Sequence, residues 1–212
     1  MQLENYQHQQ SVLPKQGRYI IANSTDDTIT VYQAFNEKIA EYAVKNQQFG
    51  GVHYSFSRMT WIKPNFMWMM YRSGWASKEG QERILAIEIE KDGFFELLKN
   101  SVISQFKGEF FESKEEWKKA LKQSEVRLQW DPDHNPHGAK LERKAIQIGI
   151  QGKRLERFNT EWIKSISDIT DFVHQQTKVL KTNSKDLEVP IERVVSLNHV
   201  KEIAEHVGIK LS

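Results

Sequence analysis

The chain has 212 residues, of which 39% are hydrophobic and 27% charged, and its 30 basic and 28 acidic side chains give a net charge of +2. This length is typical of one domain, or of two small ones, with a hydrophobic core large enough to fold without stabilising cross-links. Because the sequence contains no Cys, disulfides, thiolate metal sites, cysteine nucleophiles and iron–sulfur clusters are excluded. The near-neutral charge excludes a strongly basic nucleic-acid coat protein but allows a local basic groove.

The N-terminal residues are polar and rich in Gln, and they lack the apolar segment of an export signal. The longest apolar run, over residues 66–71, is far too short to cross a bilayer. We therefore expect a cytoplasmic protein with no membrane partner. Residues 1–16 are predicted to form a flexible N-terminal arm, because disorder concentrates at chain termini. Residues 17–212 are predicted to form a single domain.

The first half of the chain is predicted to mix strands and helices. An apolar run at 18–22 favours a buried strand. Apolar side chains spaced three and four residues apart predict a helix from Thr28 to about Asn46. Pro64 suits the first turn of a helix, so a second helix is predicted over 64–71. Residues 84–90 form the clearest strand, and a helix is predicted to follow over 94–101.

The second half continues this mixture. We predict a charged helix over 114–123, followed by two strands, 126–130 and 145–150, with a turn containing two Pro over 131–138 between them. The longest helix is predicted over 160–180, a last strand over 190–197 and a last short helix over 199–207. Strands and helices do not alternate regularly. The expected fold is therefore α+β, with a central, mostly antiparallel sheet flanked by helices.

The most distinctive part of the sequence is the tryptophan-rich segment, residues 58–75, which holds three of the six Trp and four of the five Met. One interpretation is a central core helix, because the helical part is apolar nearly all round. The other is a pocket for a flat anionic ligand. Fully buried cations are rare unless they are paired, so cations within this segment are expected at the rim, where they could bind phosphate.

A ligand site in this segment would have cations for phosphate and aromatic rings for stacking. The candidates are Arg58, Lys63 and Arg72, with Trp61, Trp68, Tyr71 and Trp75. Candidates for the reacting centre lie at strand ends, where site residues often occur. Gln129 and Asp131 flank Trp130 at one strand end, and Gln147 lies on the neighbouring predicted strand.

Other constellations favour structural interpretations. His134 and His137 have metal-ligand chemistry, but they lie in a Pro-constrained turn without a full ligand set, which favours a solvated turn. Glu88 and Glu90 share one face of a strand, and a solvent-facing strand explains them better than acid–base catalysis. The spacings of phosphate-binding loops and of a nucleophile elbow are missing.

Five short runs carry a resemblance to a known family: residues 31–34, 57–75, 81–87, 129–132 and 145–149. Together they closely resemble the family called domain of unknown function 4291, over roughly residues 18–195. The family name implies no activity. The layout is also loosely similar to the ADP-ribosyltransferase superfamily, through an early strand carrying Arg18, a following helix and a strand–helix unit at 84–98; this is an analogy of fold alone.

Three functions stay open. The first is an enzyme acting on a nucleotide or nucleic acid, with NAD as a candidate donor of ADP-ribose and the residues above converging on one cleft. The second is a non-catalytic nucleic-acid-binding module, whose groove would continue along further cations: Lys140, Arg143, Lys144, Lys153, Arg154 and Arg157. The third is a protein-interaction module that exposes the Trp and Met side chains. The oligomeric state is left open.

Overall fold

The computed structural model describes residues 1–211 and has the predicted α+β fold. The strands are β1 (Leu3–Asn5), β2 (Gly17–Arg18), β3 (Ile21–Ala22), β4 (Thr28–Phe35), β5 (Thr60–Ile62), β6 (Arg83–Glu90), β7 (Ser101–Ile103), β8 (Val126–His134), β9 (Lys140–Ile150), β10 (Ile163–Asp168), β11 (Glu188–Pro190) and β12 (Arg193–Val194). The helices are α1 (Tyr6–Val12), α2 (Glu37–Asn46), α3 (Phe66–Ser73), α4 (Lys91–Lys99), α5 (Lys114–Gln123), α6 (Gly152–Arg157), α7 (Thr170–Thr182) and α8 (Lys201–His206).

Two main sheets carry the fold, and their pairing is mostly antiparallel, as predicted. One sheet has the order β10-β6-β4, and the other has the order β2-β9-β8-β7 with β5 added against β9. Only β2 and β7 join their neighbours in parallel. A single bridge connects the two sheets: the backbone of Tyr32 in β4 exchanges two hydrogen bonds, of 2.7 and 3.1 Å, with that of Lys63. This bridge places the end of β4 beside β5 and the start of α3.

The larger apolar cluster lies between these sheets and the helices α2 and α4, and it includes Ile29, Ile87 and Ile148. A second cluster surrounds α3 and α7 and contains Phe66, Met70 and Val173. Helix α3 is thus a core helix, which confirms the first of the two interpretations of the tryptophan-rich segment. No helix in the described part of the chain is long and apolar enough to cross a membrane.

Several predicted elements are confirmed with small shifts in their bounds: the helix starting near Pro64 is α3, the clearest strand is β6, and the charged helix is α5. The helix predicted over 28–46 is wrong in its first half, which forms β4. Its residues 28–32 are mainly β-branched, and they find a full-length partner in β6, from Thr28↔Glu90 to Phe35↔Arg83. Helix α2 begins only after Asn36, whose side chain accepts a hydrogen bond from the Ile39 amide.

The long helix predicted over 160–180 is also wrong in part. Residues 160–162 are the end of a short π-helix, Phe158–Trp162, residues 163–168 form β10, which pairs antiparallel with the other edge of β6, and Thr170–Thr182 is α-helical. The apolar spacing of Ile163, Ile166 and Ile169 fits a helix, but pairing with β6 outweighs this local preference. The turn predicted over 131–138 is shorter, because β8 continues to His134.

The N-terminal residues pack against the C-terminal part of the chain, where the sequence predicted a flexible arm. Strand β1 pairs antiparallel with β11, from Leu3↔Pro190 to Asn5↔Glu188. Helix α1 follows directly, capped by the Asn5 side chain, and Leu13 is buried. The predicted domain boundary after residue 16 stays a prediction.

Candidate functional site

A polar cleft of about 450 Å³ lies where the end of β4, β5, α3 and the β8–β9 hairpin meet. This volume is within the range of small-molecule sites. Seven of the eleven site residues predicted from the sequence line it: Trp61, Lys63, Trp68, Arg72, Gln129, Asp131 and Gln147. The other lining residues are Gln33, Ala34, Phe35, Met59, Thr60, Met69 and Gln81. The tryptophan-rich segment therefore supplies both core and cleft.

Strand pairing brings the polar wall of the cleft together. Gln129 of β8 is the direct antiparallel partner of Gln147 of β9, and Asp131 follows Gln129 on the same face. On the other side of β9, Trp61 of β5 lies opposite Gly149. A Cβ at Gly149 would lie 2.9 Å from Cζ2 of Trp61, so this close approach of the indole requires glycine.

The Asp131 carboxylate is held by two amide side chains. Gln129 Nε2 donates to Oδ1 at 2.8 Å, and Gln147 Nε2 donates to Oδ2 at 2.9 Å. Ser104 Oγ in turn donates to Gln129 Oε1 at 3.4 Å. Each carboxylate oxygen keeps a lone pair for a further donor. The arrangement fixes a negative charge at one wall of the cleft.

Lys63 also lines the cleft and is only 7% exposed. Its Nζ donates to the Trp61 carbonyl at 3.1 Å, and among the described residues no carboxylate oxygen lies within 4.0 Å of it. Burial, and after it the charge of Arg72, lower the pKa of Lys63 to about 7, while the charge of Asp131 opposes this shift. The predicted rim position of this cation is therefore wrong.

Two other cleft residues each have one side-chain atom without a hydrogen-bond partner within the described chain. Gln33 Nε2 donates to Thr60 Oγ1 and to the Trp61 carbonyl, but its Oε1 accepts no hydrogen bond. The indole Nε1 of Trp68 is buried and likewise unpaired. Buried polar atoms are nearly always paired, so these two unpaired atoms are unusual features of residues that line the cleft.

Helix α3 places Trp68 and Arg72 in the cleft, and a buried carboxyl group anchors its first turn. Asn65 caps the helix by accepting from the Trp68 amide at 2.8 Å. Glu192 accepts from the Phe66 amide at 2.7 Å and from Asn65 Nδ2 at 3.1 Å. Burial raises the pKa of Glu192 well above its ordinary value. Sequence reasoning missed Glu192 because no local pattern connects it with α3.

Four predicted ligand-binding residues do not line the cleft. Arg18 donates to Glu109 at 3.0 Å and to the Gly208 carbonyl at 3.2 Å, while Arg58 is exposed. Tyr71 and Trp75 border a separate groove of about 700 Å³. Tyr71 stacks on the His134 ring at 3.5 Å between centroids.

Half of the cations of the second hypothesis form ion pairs, and the helical side chains of the third are buried. Of the six cations expected along a basic groove, Arg143 forms a buried 2.7 Å ion pair with Asp133, and Arg154 and Arg157 both pair with Glu96. The side chains that an interaction surface would expose, Phe66 to Met70, are each no more than 4% exposed.

The histidines considered as metal ligands and the paired glutamates considered for acid–base catalysis lie outside the cleft. His134 is buried in an aromatic stack, so the solvated-turn interpretation is wrong for it, whereas His137 is exposed. Burial lowers the pKa of His134. Glu88 accepts hydrogen bonds from Thr28 and Ser165, and Glu90 pairs with Lys164.

Comparison with protein families identifies a match. The family described as "Domain of unknown function (DUF4291)" matches residues 19–195, which is most of the chain and agrees with the resemblance seen in the sequence. A search of curated proteins finds no match. The looser similarity to ADP-ribosyltransferases stays a prediction, because it rests on layout alone.

Proposed function

The chain belongs to the DUF4291 family, and for this member we propose that the cleft is the active site of a nucleotide-directed transferase. The observation that supports this most is the convergence, in one cleft, of Arg72, Lys63, Asp131 and two Trp rings from three separate parts of the fold: α3, β5 with the residue after it, and β8. The candidate donor is NAD, and the unit transferred would be ADP-ribose. The acceptor is a nucleotide or a nucleic acid.

The ligand would be bound by one cation and enclosed by two aromatic side chains. Arg72 is exposed at the cleft and always charged, so its guanidinium is the phosphate ligand. Trp61 would stack on the planar base, which contributes roughly 1–3 kcal/mol, while Trp68, which is 4% exposed and stacked on His134, would form the wall behind it. Lys63 is less suited to hold phosphate than the sequence suggested, because burial lowers its pKa to about 7.

The reaction would take place beside Asp131. In the transfer, the bond between ribose C1′ and the nicotinamide nitrogen breaks, and its electron pair leaves with nicotinamide. The acceptor forms the new bond to C1′ and loses a proton. Positive charge develops on the ribose in between, and the carboxylate held by Gln129 and Gln147 would stabilise it. A preorganised charge of this kind is typically worth roughly 10²–10³ in rate.

Thermal melting of the purified protein with NAD, ADP-ribose, ATP or a short single-stranded RNA tests the proposal. A ligand at about 100 times its Kd stabilises the folded state by about 2.7 kcal/mol, which raises the melting temperature. We expect a shift with NAD or another nucleotide. It should be lost in Arg72→Ala and kept in Arg58→Ala, since Arg58 is an exposed cation of the same segment that does not line the cleft.

The other outcomes separate the remaining hypotheses. A shift with RNA alone that weakens at high salt would favour the non-catalytic nucleic-acid-binding module, because phosphate contacts release counterions. The absence of any shift, or an equal loss in Arg72→Ala and Arg58→Ala, would contradict the proposal. It would turn attention to protein partners.

A further inference from the structure

The buried lysine of the cleft has the environment of a reactive amine. We propose that Lys63 forms a covalent imine with the carbonyl carbon of a small, planar, anionic aldehyde. This adds a covalent activity to the proposed function. It rests on the cleft being a ligand site, but not on NAD being the ligand.

The first support is the position of the amine. Lys63 lines the cleft although its side chain is almost entirely removed from solvent. Its backbone is fixed by the two hydrogen bonds with Tyr32, which limits how far the side chain can withdraw. An ammonium group has three donors, and only the Trp61 carbonyl accepts one of them among the described residues. The site thus solvates a charged ammonium poorly.

The second support is the charge around the amine. The two charged groups acting on it are Arg72 of α3, which disfavours the ammonium, and Asp131 of β8, which favours it. With burial added, the pKa of Lys63 is about 7, so roughly half of the molecules carry a neutral amine at neutral pH. For an exposed lysine that fraction is roughly one in three thousand. Desolvation beside another cation is a known way to activate a lysine nucleophile.

The surrounding side chains define the class of electrophile. Arg72 would bind a phosphate or carboxylate group of the aldehyde and hold it near the amine. Trp61 suits a flat ring, and Trp68 adds a further aromatic wall to the cleft. The carboxylate of Asp131 would balance the positive charge that appears when the imine is protonated.

The step is a condensation. The lone pair of neutral Nζ attacks the carbonyl carbon, and the π electrons of the carbonyl move to its oxygen. That oxygen takes both hydrogens of the amine in turn, and it leaves as water. The product is an N=C bond at Lys63, and no oxidant or reductant is consumed.

Pyridoxal 5′-phosphate is a suitable probe, because it is planar, aromatic, anionic and an aldehyde. The protein is incubated with it, reduced with borohydride to fix any imine, and mapped by peptide mass spectrometry. We expect Lys63 to be labelled before exposed lysines such as Lys38. The rate should rise with pH through a midpoint near 7, the pKa of Lys63. Labelling should slow about tenfold or more in Arg72→Met, where a charge-assisted hydrogen bond is lost, and stay unchanged in Arg58→Met.

Two results would overturn the proposal. One is labelling spread evenly over exposed lysines with Lys63 unmodified. The other is a Lys63 rate that rises only near pH 10, as for an ordinary lysine. The outcome is separate from that for the transferase: selective labelling without any nucleotide-induced shift in melting would leave the imine site standing and the transferase refuted. A melting shift with NAD in a protein whose Lys63 stays unlabelled would do the reverse.

Discussion

Replacing Lys63 by Met should stabilise the protein at neutral and acidic pH. Met matches the length of the lysine stem and is tolerated in cores, whereas the ammonium is desolvated at this position. The pKa of Lys63 falls from 10.5 to about 7 on folding. At about 1.36 kcal/mol for each pKa unit, the protonated lysine costs the folded state up to about 5 kcal/mol, as an upper bound.

The sign of the pH dependence follows from linkage. Because the pKa of Lys63 is lower in the folded state, the unfolded chain binds more protons between about pH 7 and the pKa of an unfolded lysine. The contribution of Lys63 to the stability of the wild-type protein should therefore rise with pH across this window. Lys63→Met removes this contribution, so the difference between the two proteins should be largest below about pH 7 and shrink towards about pH 10.

Urea denaturation followed by circular dichroism, at several pH values across this window, measures the difference directly. Lys38→Met is the matched control, because Lys38 is exposed on α2 and its replacement should change the unfolding free energy by less than about 0.5 kcal/mol at any pH. Equal stability of Lys63→Met and wild type below about pH 7, or a difference that does not shrink as the pH rises, would refute this account of Lys63.

Three further substitutions test residues that line the cleft or hold its walls in place. The raised pKa of Glu192 means that its stabilising effect is present below the unfolded pKa and lost as the pH rises through the folded one; Glu192→Gln should therefore flatten the loss of stability at high pH in the same denaturation series, and an unchanged slope would contradict this. Gly149→Ala should displace the Trp61 ring and destabilise the fold by roughly 1–3 kcal/mol. Nucleotide affinity measured by fluorescence titration should fall with it, and unchanged affinity would argue against stacking on Trp61. Asp131→Asn should lower transfer activity about 10²-fold while nucleotide binding changes little, and equal losses in both would place Asp131 in binding instead.

Local sequence patterns predict the parts of the cleft that lie close together in the chain. Trp68 and Arg72 are four residues apart in a helix that Pro64 and the apolar run already indicate, so they face the same way. Gln129, Asp131 and Gln147 were predicted at neighbouring strand ends, and the antiparallel β8–β9 pairing brings them together. Both inferences need only short-range geometry and one strand pairing.

The sequence did not reveal those site residues whose positions depend on contacts between distant parts of the chain. Gln33 was hidden because residues 28–35 have apolar side chains at spacings that suit a helix as well as a strand, and only pairing with β6 decides between them. Glu192 reaches the first turn of α3 from the far end of the chain. Tyr71 was expected at the same site as Arg72, but consecutive helix residues point about 100° apart, and Tyr71 stacks on His134 instead.

Binding of NAD to this cleft is the central claim, and titration calorimetry with the wild type, Arg72→Ala and Arg58→Ala tests it most directly. Removing a charge-assisted hydrogen bond to phosphate costs about 1.5–3 kcal/mol, so Kd should rise about tenfold or more in Arg72→Ala and stay within about twofold in Arg58→Ala. The absence of NAD binding to the wild-type protein, or the same weakening in both variants, would contradict the account.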